Sequence, residues 1–150
     1  MSPYRLSPLL VVLALALGTI TAPLQAEGIN HKVAIHVDEN DPARMNMALN
    51  NAENINAYYE QQDDTVEIEV VTYGPGLHML RADTSPVKAR IAAMSLELPS
   101  ISFAACGNTK AKMSEQAGKE IDLVSEAKTV PSGVVRLIEL QEDGWAYVRP

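Results

Sequence analysis

The chain has 150 residues, of which 12 are basic, 19 are acidic and 47% are hydrophobic, and its formal net charge is −7. This length and apolar content are typical of one globular domain and exclude a disordered or fibrous chain, while the acidic excess excludes nucleic acid as a partner. A single cysteine excludes an intrachain disulfide and a cysteine-rich zinc site.

Residues 1–26 have the three regions of a secretory signal peptide. Arg5 supplies a positive charge, an apolar run follows over 9–17, and a small residue, Ala26, ends the segment. The run is shorter than the roughly 20 residues that span a bilayer. We expect cleavage after Ala26, a periplasmic domain of residues 27–150 and no membrane association afterwards. The alternative is an uncleaved N-terminal anchor, because the Leu-Gln-Ala site is imperfect.

The first part of the mature chain predicts a strand, a helix and a second strand. The β-branched run 32–37 is typical of a strand. Asp41 is suited to cap a helix that begins at Pro42. The run 66–73 predicts the second strand, which the turn 74–76 ends. The helix has apolar residues at helical spacing: Met45, Ala48, Leu49, Ala52, Ile55 and Tyr59.

The middle of the chain predicts a second helix and a third strand. Hydroxyl side chains at 84–85 precede Pro86, which is typical of a helix start, and Pro99 ends the helix. The run 101–105 predicts a strand that places Cys106 at its C-terminal end. The apolar stripe of this helix comprises Val87, Ile91, Met94 and Leu98.

The last part predicts a third helix opening near Asn108 or Thr109, a fourth strand over 121–124, a helix from Pro131 and a last strand over 145–148. Strands that alternate with helices imply a parallel sheet, because the helices supply the crossovers. We predict a single three-layer α/β/α domain with a mainly parallel sheet of about five strands. The apolar residues of the last helix are Val134, Val135, Leu137 and Ile138.

Cys106 is the strongest candidate for chemistry in this fold. Ligand sites of such sheets collect beyond the carboxyl ends of the strands, where the loops 38–41, 74–81 and 106–109 lie. A thiol at a helix start faces the positive end of the helix dipole, which lowers its pKa, and Gly107 leaves the backbone open to a close approach. The alternative is a packed core thiol, because free cysteine is often buried.

Three further side chains are candidates at the same edge. His36 and His78 are possible bases for a thiol hydrolase, although no sequence feature places either beside Cys106, and a packed His36 and a solvated His78 are the alternatives. Arg81 suits a thiolate, a persulfide or a sulfur oxyanion, or else an ion pair with Asp83.

Asp38 belongs to an acidic turn that also contains Glu39 and Asp41. Clustered carboxylates suit hard cations, but Asp41 is already suited to cap a helix and no matching cluster follows. We therefore expect no metal and no cofactor, and we keep Asp38 as a candidate binding residue.

Three motifs together resemble the DsrE/DsrF-like family, which has the YchN-type fold. They are the acidic turn 38–42, the segment 71–76 and the segment 103–109, and the resemblance covers nearly the whole mature domain. It is closest to an exported, uncharacterised branch. The resemblance implies trimers or hexamers in which a cysteine after the third strand, matched here by Cys106, accepts sulfane sulfur as a persulfide.

The expected function is therefore an exported sulfur relay that takes sulfur from a donor, either a small sulfur anion or a protein, and passes it to a protein acceptor. The amides of Gly107, Asn108 and Thr109 would stabilise the anion, with His78 or Arg81 assisting. The alternative is a non-catalytic oligomeric binding or assembly module in which Cys106 is a packed thiol.

Overall fold

The computed structural model describes residues 28–150, so the predicted signal peptide lies outside the described residues. Five strands and five helices follow one another along this part of the chain. In order they are β1 (Asn30–Val37), α1 (Pro42–Glu60), β2 (Thr65–Thr72), a 3₁₀ helix (Gly74–Leu80), α2 (Lys88–Glu97), β3 (Ile101–Cys106), α3 (Gly107–Ala117), β4 (Ala127–Val130), α4 (Gly133–Glu142) and β5 (Ala146–Val148).

The five strands form one parallel sheet in the order β4-β3-β2-β1-β5. Ile68 of β2 lies opposite Val33 of β1 and Ile101 of β3. The connections from β1 to β4 all advance in one direction, so right-handed crossovers place α1, α2 and α3 on one face of the sheet. The connection through α4 runs back to the opposite edge and covers the other face. The predicted three-layer α/β/α architecture is confirmed.

The core is divided unequally between the two faces. On the face of α1 to α3, strand residues such as Ile35 and Phe103 pack with Leu49 and Met94 in a large cluster. On the other face, a small cluster consists of Ala34, Val71, Ala104, Leu137 and Leu140. Because β2 is covered on both faces, residues 68–72 of this strand are all buried, as is typical of a central parallel strand.

The start of α1 agrees with the sequence prediction. The Asp41 carboxylate accepts a hydrogen bond of 2.8 Å from the amide of Ala43, and Pro42 is the first helical residue. This cap fixes the direction in which the chain leaves the end of β1.

The predicted fourth strand over 121–124 is wrong. Ile121 and Val124 are buried, but Leu123 forms only a single antiparallel bridge with Arg81, outside the parallel sheet. The real β4, Ala127–Val130, is an edge strand with mostly polar or half-exposed side chains, so no apolar pattern marked it.

The predicted start of α2 is also wrong. The hydroxyl of Ser85 donates to the carbonyl oxygen of Met79 at 2.5 Å and accepts from the amide of Val87 at 3.3 Å. These bonds close a turn before the helix, which therefore begins at Lys88 rather than at Pro86.

Helix α4 begins at Gly133, two residues after the predicted Pro131, and buries a different stripe from the one predicted. Leu137 and Leu140 face the sheet. Three predicted stripe residues are instead about half exposed: Val134 at 51%, Val135 at 47% and Ile138 at 50%. Within residues 28–150, no helix combines the length and apolarity needed to cross a membrane.

An ion pair between a buried carboxylate and a partly exposed guanidinium joins α4 to the centre of the sheet. Glu69 is only 7% exposed on β2. Its carboxylate accepts two hydrogen bonds from the guanidinium of Arg136, with donor–acceptor distances of 2.7 and 2.6 Å. Such a two-point pair fixes both the position and the rotation of the helix on the sheet.

We expect Arg136→Met to lower the free energy of unfolding by about 2 kcal/mol, because it leaves the Glu69 carboxylate buried without its partner. Urea unfolding at neutral pH measures the change. Lys110→Met is the control, because the carboxylate of its partner Glu120 is exposed and such surface ion pairs contribute little to stability. Equal effects of the two substitutions would contradict this role of the buried pair.

Candidate functional site

The N-termini of α3 and α4 meet at Cys106. Cys106 is the last residue of β3 and the N-cap residue of α3. A Cβ atom at position 133, the first residue of α4, would lie 3.2 Å from the Cβ of Cys106 and 2.9 Å from two carbon atoms of Tyr73. Gly133 therefore brings the backbone of a second helix against the cysteine at a distance that no side chain would permit.

Two opposing effects act on the thiol of Cys106, which is 5% exposed. Burial raises its pKa, but hydrogen bonds from the Thr109 hydroxyl and from the amides of Gly133, Thr109 and Asn108 together outweigh burial, so the pKa is lowered from its ordinary value. The donors come from the first turns of both helices, where backbone amides have no helical partner. The site favours a thiolate by means of neutral donors.

Hydrogen bonds between loops hold these donors in place. The amide of Gly74 donates to the Thr109 hydroxyl oxygen at 3.0 Å, and the amide of Asn108 shares its hydrogen between the Cys106 sulfur and the carbonyl oxygen of Pro131, 3.3 Å away. Because the oxygen of Thr109 accepts from Gly74, its own hydrogen is free to point at the sulfur. The loops after β2, β3 and β4 are thus fastened together around Cys106.

His36 lies in a separate buried cluster next to this site. Its Nδ1 is 2.7 Å from the hydroxyl oxygen of Tyr147, and its ring stacks on Tyr73 with 4.6 Å between centroids. Its Nε2 is buried without a hydrogen-bond partner and lies 4.0 Å from a carboxylate oxygen of Asp38. Burial is the main cause that lowers the pKa of His36. His36 is a packed, neutral side chain.

Arg81 and Asp38 are held by ion pairs. The guanidinium of Arg81 binds the carboxylate of Asp83 through two hydrogen bonds of 2.9 and 2.7 Å, which lowers the pKa of Asp83 to about 2. Asp38 lies 3.0 Å from Arg149. The structure therefore shows the ion-pair alternative for Arg81. No group of three potential metal ligands occurs among residues 28–150.

An open groove of about 600 Å³ lies between the 3₁₀ helix and α3. We call it the α3 groove. His78 lines it, and burial followed by the charge of Arg81 lowers the pKa of this histidine. The groove is lined by Asn40, Tyr73, Gly74, Pro75, His78, Asn108, Thr109, Lys112, Met113 and Gln116.

Sequence reasoning missed Tyr73, Lys112 and Gly133. Tyr73 enters the sequence analysis as the end of a strand and within the segment 71–76 but not as a site residue, although its position beyond β2 at the carboxyl edge is a signal. Lys112 lies in the second turn of α3 in a polar stretch without any special pattern. Gly133 approaches Cys106 only through the crossover from β4 to α4, which local sequence does not reveal.

No family model and no curated protein matches this chain, but solved structures do. MTH1491 from Methanobacterium thermoautotrophicum, a protein of unknown function, has a TM-score of 0.68 and 33% sequence identity. The match covers 80% of this chain and 99% of that protein. The chain belongs to the same family as MTH1491. Membership establishes the fold and leaves the chemistry to the residues of the site.

We expect Gly133→Ala to slow alkylation of Cys106 by iodoacetamide near neutral pH several-fold. The added methyl group must push α4 away from Tyr73 and Cys106, and the withdrawn amide then no longer stabilises the thiolate. Ser132→Ala is the matched control, because Ser132 precedes the same helix without a capping hydrogen bond from its side chain. An unchanged rate in a folded Gly133→Ala protein would contradict the proposed contact.

Burial of His36 predicts that stability falls with acidification. Its pKa is lower in the folded chain than its ordinary value of 6.5, so the unfolded chain binds the proton first as the pH falls. The free energy of unfolding should decline below about pH 6.5. It should decline less steeply in His36→Phe. Both proteins should carry His78→Gln, because the pKa of His78 is lowered as well. Parallel stability curves would contradict the prediction.

Proposed function

We propose that the protein is an exported, DsrE-like sulfur relay in which Cys106 accepts sulfane sulfur and passes it to a partner protein. The observation that carries the proposal is the convergence of two helix N-termini on one thiol whose pKa is lowered. A relay needs a nucleophilic thiolate and a site that stabilises an anionic persulfide. Backbone amides at helix N-termini stabilise both anions.

With thiosulfate as donor, the Cys106 thiolate attacks the outer sulfur of the ion. The new bond joins Sγ to that sulfur, while the S–S bond of thiosulfate breaks and sulfite leaves with its electron pair. The product is the Cys106 persulfide anion, and the total charge is unchanged. The transfer step itself needs no base, because the reacting form of Cys106 is the thiolate, which the lowered pKa favours, and the leaving group carries no proton.

The surroundings of Cys106 do not supply the base that a thiol hydrolase requires. None of the three described histidines hydrogen-bonds Cys106: His31 binds Asp64, His36 binds Tyr147, and His78 lies in the α3 groove with the Thr84 hydroxyl as its neighbour. The guanidinium of Arg81 is occupied by Asp83. Transfer between thiolates is therefore the chemistry that this set of side chains supports best.

Export to the periplasm and assembly into a homo-oligomer are further parts of the proposal. Export rests on the signal-like residues 1–26. Assembly is supported by the outward side of α4, where Val134, Val135 and Ile138 are each about half exposed.

A second candidate function is a non-catalytic binding module with an inert thiol. The observation that favours it is the 5% exposure of Cys106. The two candidates differ in whether the sulfur reacts in the folded protein.

We expect the mature protein, treated with thiosulfate or polysulfide, to gain about 32 Da per added sulfur on Cys106, as measured by intact mass. The gain should disappear after reduction and be absent in Cys106→Ser. No gain, together with no alkylation of the folded protein, would overturn the relay and favour the binding module.

Thr109→Val should slow this reaction about threefold below the pKa of the thiol. Loss of one hydrogen bond to the thiolate lowers the fraction of Cys106 that is ionised by about tenfold. The remaining thiolate is more basic and therefore about threefold more reactive, which offsets part of this loss in rate. Thr65→Val is the control, because Thr65 lies at the amino-terminal end of β2, far from Cys106, where its hydroxyl donates to the side chain of Asn30. Equal rates in all three proteins would show that Thr109 does not act on the sulfur.

A further inference from the structure

We infer that the α3 groove binds the organic part of the sulfur donor, a small peptide-like persulfide that carries carboxylates. This inference rests on the proposed function and names the substrate class of the same site. Four features of the groove support it: its size, its charge, its polar pattern and its position.

The size of the groove excludes an inorganic ion as its full occupant. Its volume of about 600 Å³ falls in the range of about 300–1,000 Å³ that is typical of small-molecule sites. Thiosulfate has only a handful of atoms and would leave most of this space to water. A tripeptide-sized molecule would contact both walls.

The charge of the groove favours an anion. None of its ten lining residues is acidic, although the chain has 19 acidic residues. Lys112 is exposed at the groove and belongs to no ion pair among the described residues. The N-terminal turn of α3 adds the positive end of its dipole. On a protein with a negative net charge, this local balance selects a ligand with carboxylates.

The walls combine apolar surface with amide groups. Tyr73, Pro75 and Met113 provide the apolar surface, and the side chains of Asn108 and Gln116 provide both donors and acceptors. An amide side chain can pair with the N–H and the C=O of a peptide unit at once. A short peptide uses both kinds of wall, whereas a simple alkyl persulfide uses only the first.

Two residues that follow Cys106 closely in α3 line the groove. Asn108 and Thr109 line the groove and also stabilise the thiolate of Cys106. A persulfide R–S–SH bound there can present its outer sulfur to Cys106. The thiolate forms a bond to that sulfur, the S–S bond of the donor breaks, and R–S⁻ leaves with the electron pair while the proton stays on the transferred sulfur. The products are the Cys106 persulfide and an organic thiolate.

The test uses Cys106→Ser protein and S-methylglutathione, an unreactive tripeptide thioether with two carboxylates. We expect binding by calorimetry, with amide NMR shifts centred on Asn108, Thr109 and Met113. Lys112→Glu should raise the Kd at least about tenfold, because the attraction between residue 112 and the carboxylates of the probe becomes repulsion. The matched control is Lys119→Glu, which changes the net charge equally at an exposed residue outside the groove. This substitution should leave the Kd unchanged. The dimethyl ester of the probe should bind more weakly.

Failure of this inference is distinguishable from failure of the relay, since binding is measured without Cys106. No binding, shifts elsewhere on the surface, or equal effects of the two lysine substitutions would overturn the groove as a tripeptide site. This holds even if polysulfide modifies Cys106 in the unaltered protein, in which case the donor is inorganic or another protein. Binding in the groove without any sulfur adduct would support the site and overturn the relay.

Discussion

The contact between the first residue of α4 and the end of β3 is the constraint on which the site depends. Only a residue without a side chain can lie at position 133, because any Cβ would come within 2.9 Å of Tyr73. Because of that contact, Cys106 lies between two helix N-termini rather than at one. A single terminus contributes a modest stabilisation of an anion, and desolvation of a buried thiol opposes it. The second terminus adds the amide that helps to shift the balance toward the thiolate.

The architecture explains why this contact needs a separate anchor. Helices α1, α2 and α3 and the 3₁₀ helix cover one face of the sheet with a large core, whereas α4 covers the other face alone above a few small side chains. Burial of Leu137 and Leu140 holds the helix against the sheet, but apolar contact does not fix its position along the sheet. The ion pair between Arg136 and Glu69 has directional geometry and supplies that restraint. The position of Gly133 thus depends on a residue one turn further along the same helix.

Local signals in the sequence were sufficient for the elements that are buried or capped. The strands around Ile35, Val70 and Phe103 are apolar because both faces are covered, and Asp41 marks the start of α1 directly. The fourth strand was misplaced because β4 is a polar edge strand, while the buried Ile121 attracted the prediction. For the site, the sequence indicated Cys106 and the start of α3. The second helix terminus and the α3 groove arise from crossovers between distant segments, so composition and spacing did not reveal them.

The way in which the thiolate is stabilised bears on the class of chemistry. A cationic partner would lower the pKa of Cys106 as well, but it would also bind the persulfide of the proposed relay tightly and resist its transfer. Amides and a hydroxyl stabilise thiolate and persulfide through similar hydrogen bonds, so neither state is strongly preferred. Near equality of the two states is what a relay requires, because sulfur must be released as readily as it is accepted. The pairing of Arg81 with Asp83 keeps the guanidinium of the neighbouring loop occupied by a carboxylate. We therefore regard the neutral surroundings of Cys106 as a functional property of the site.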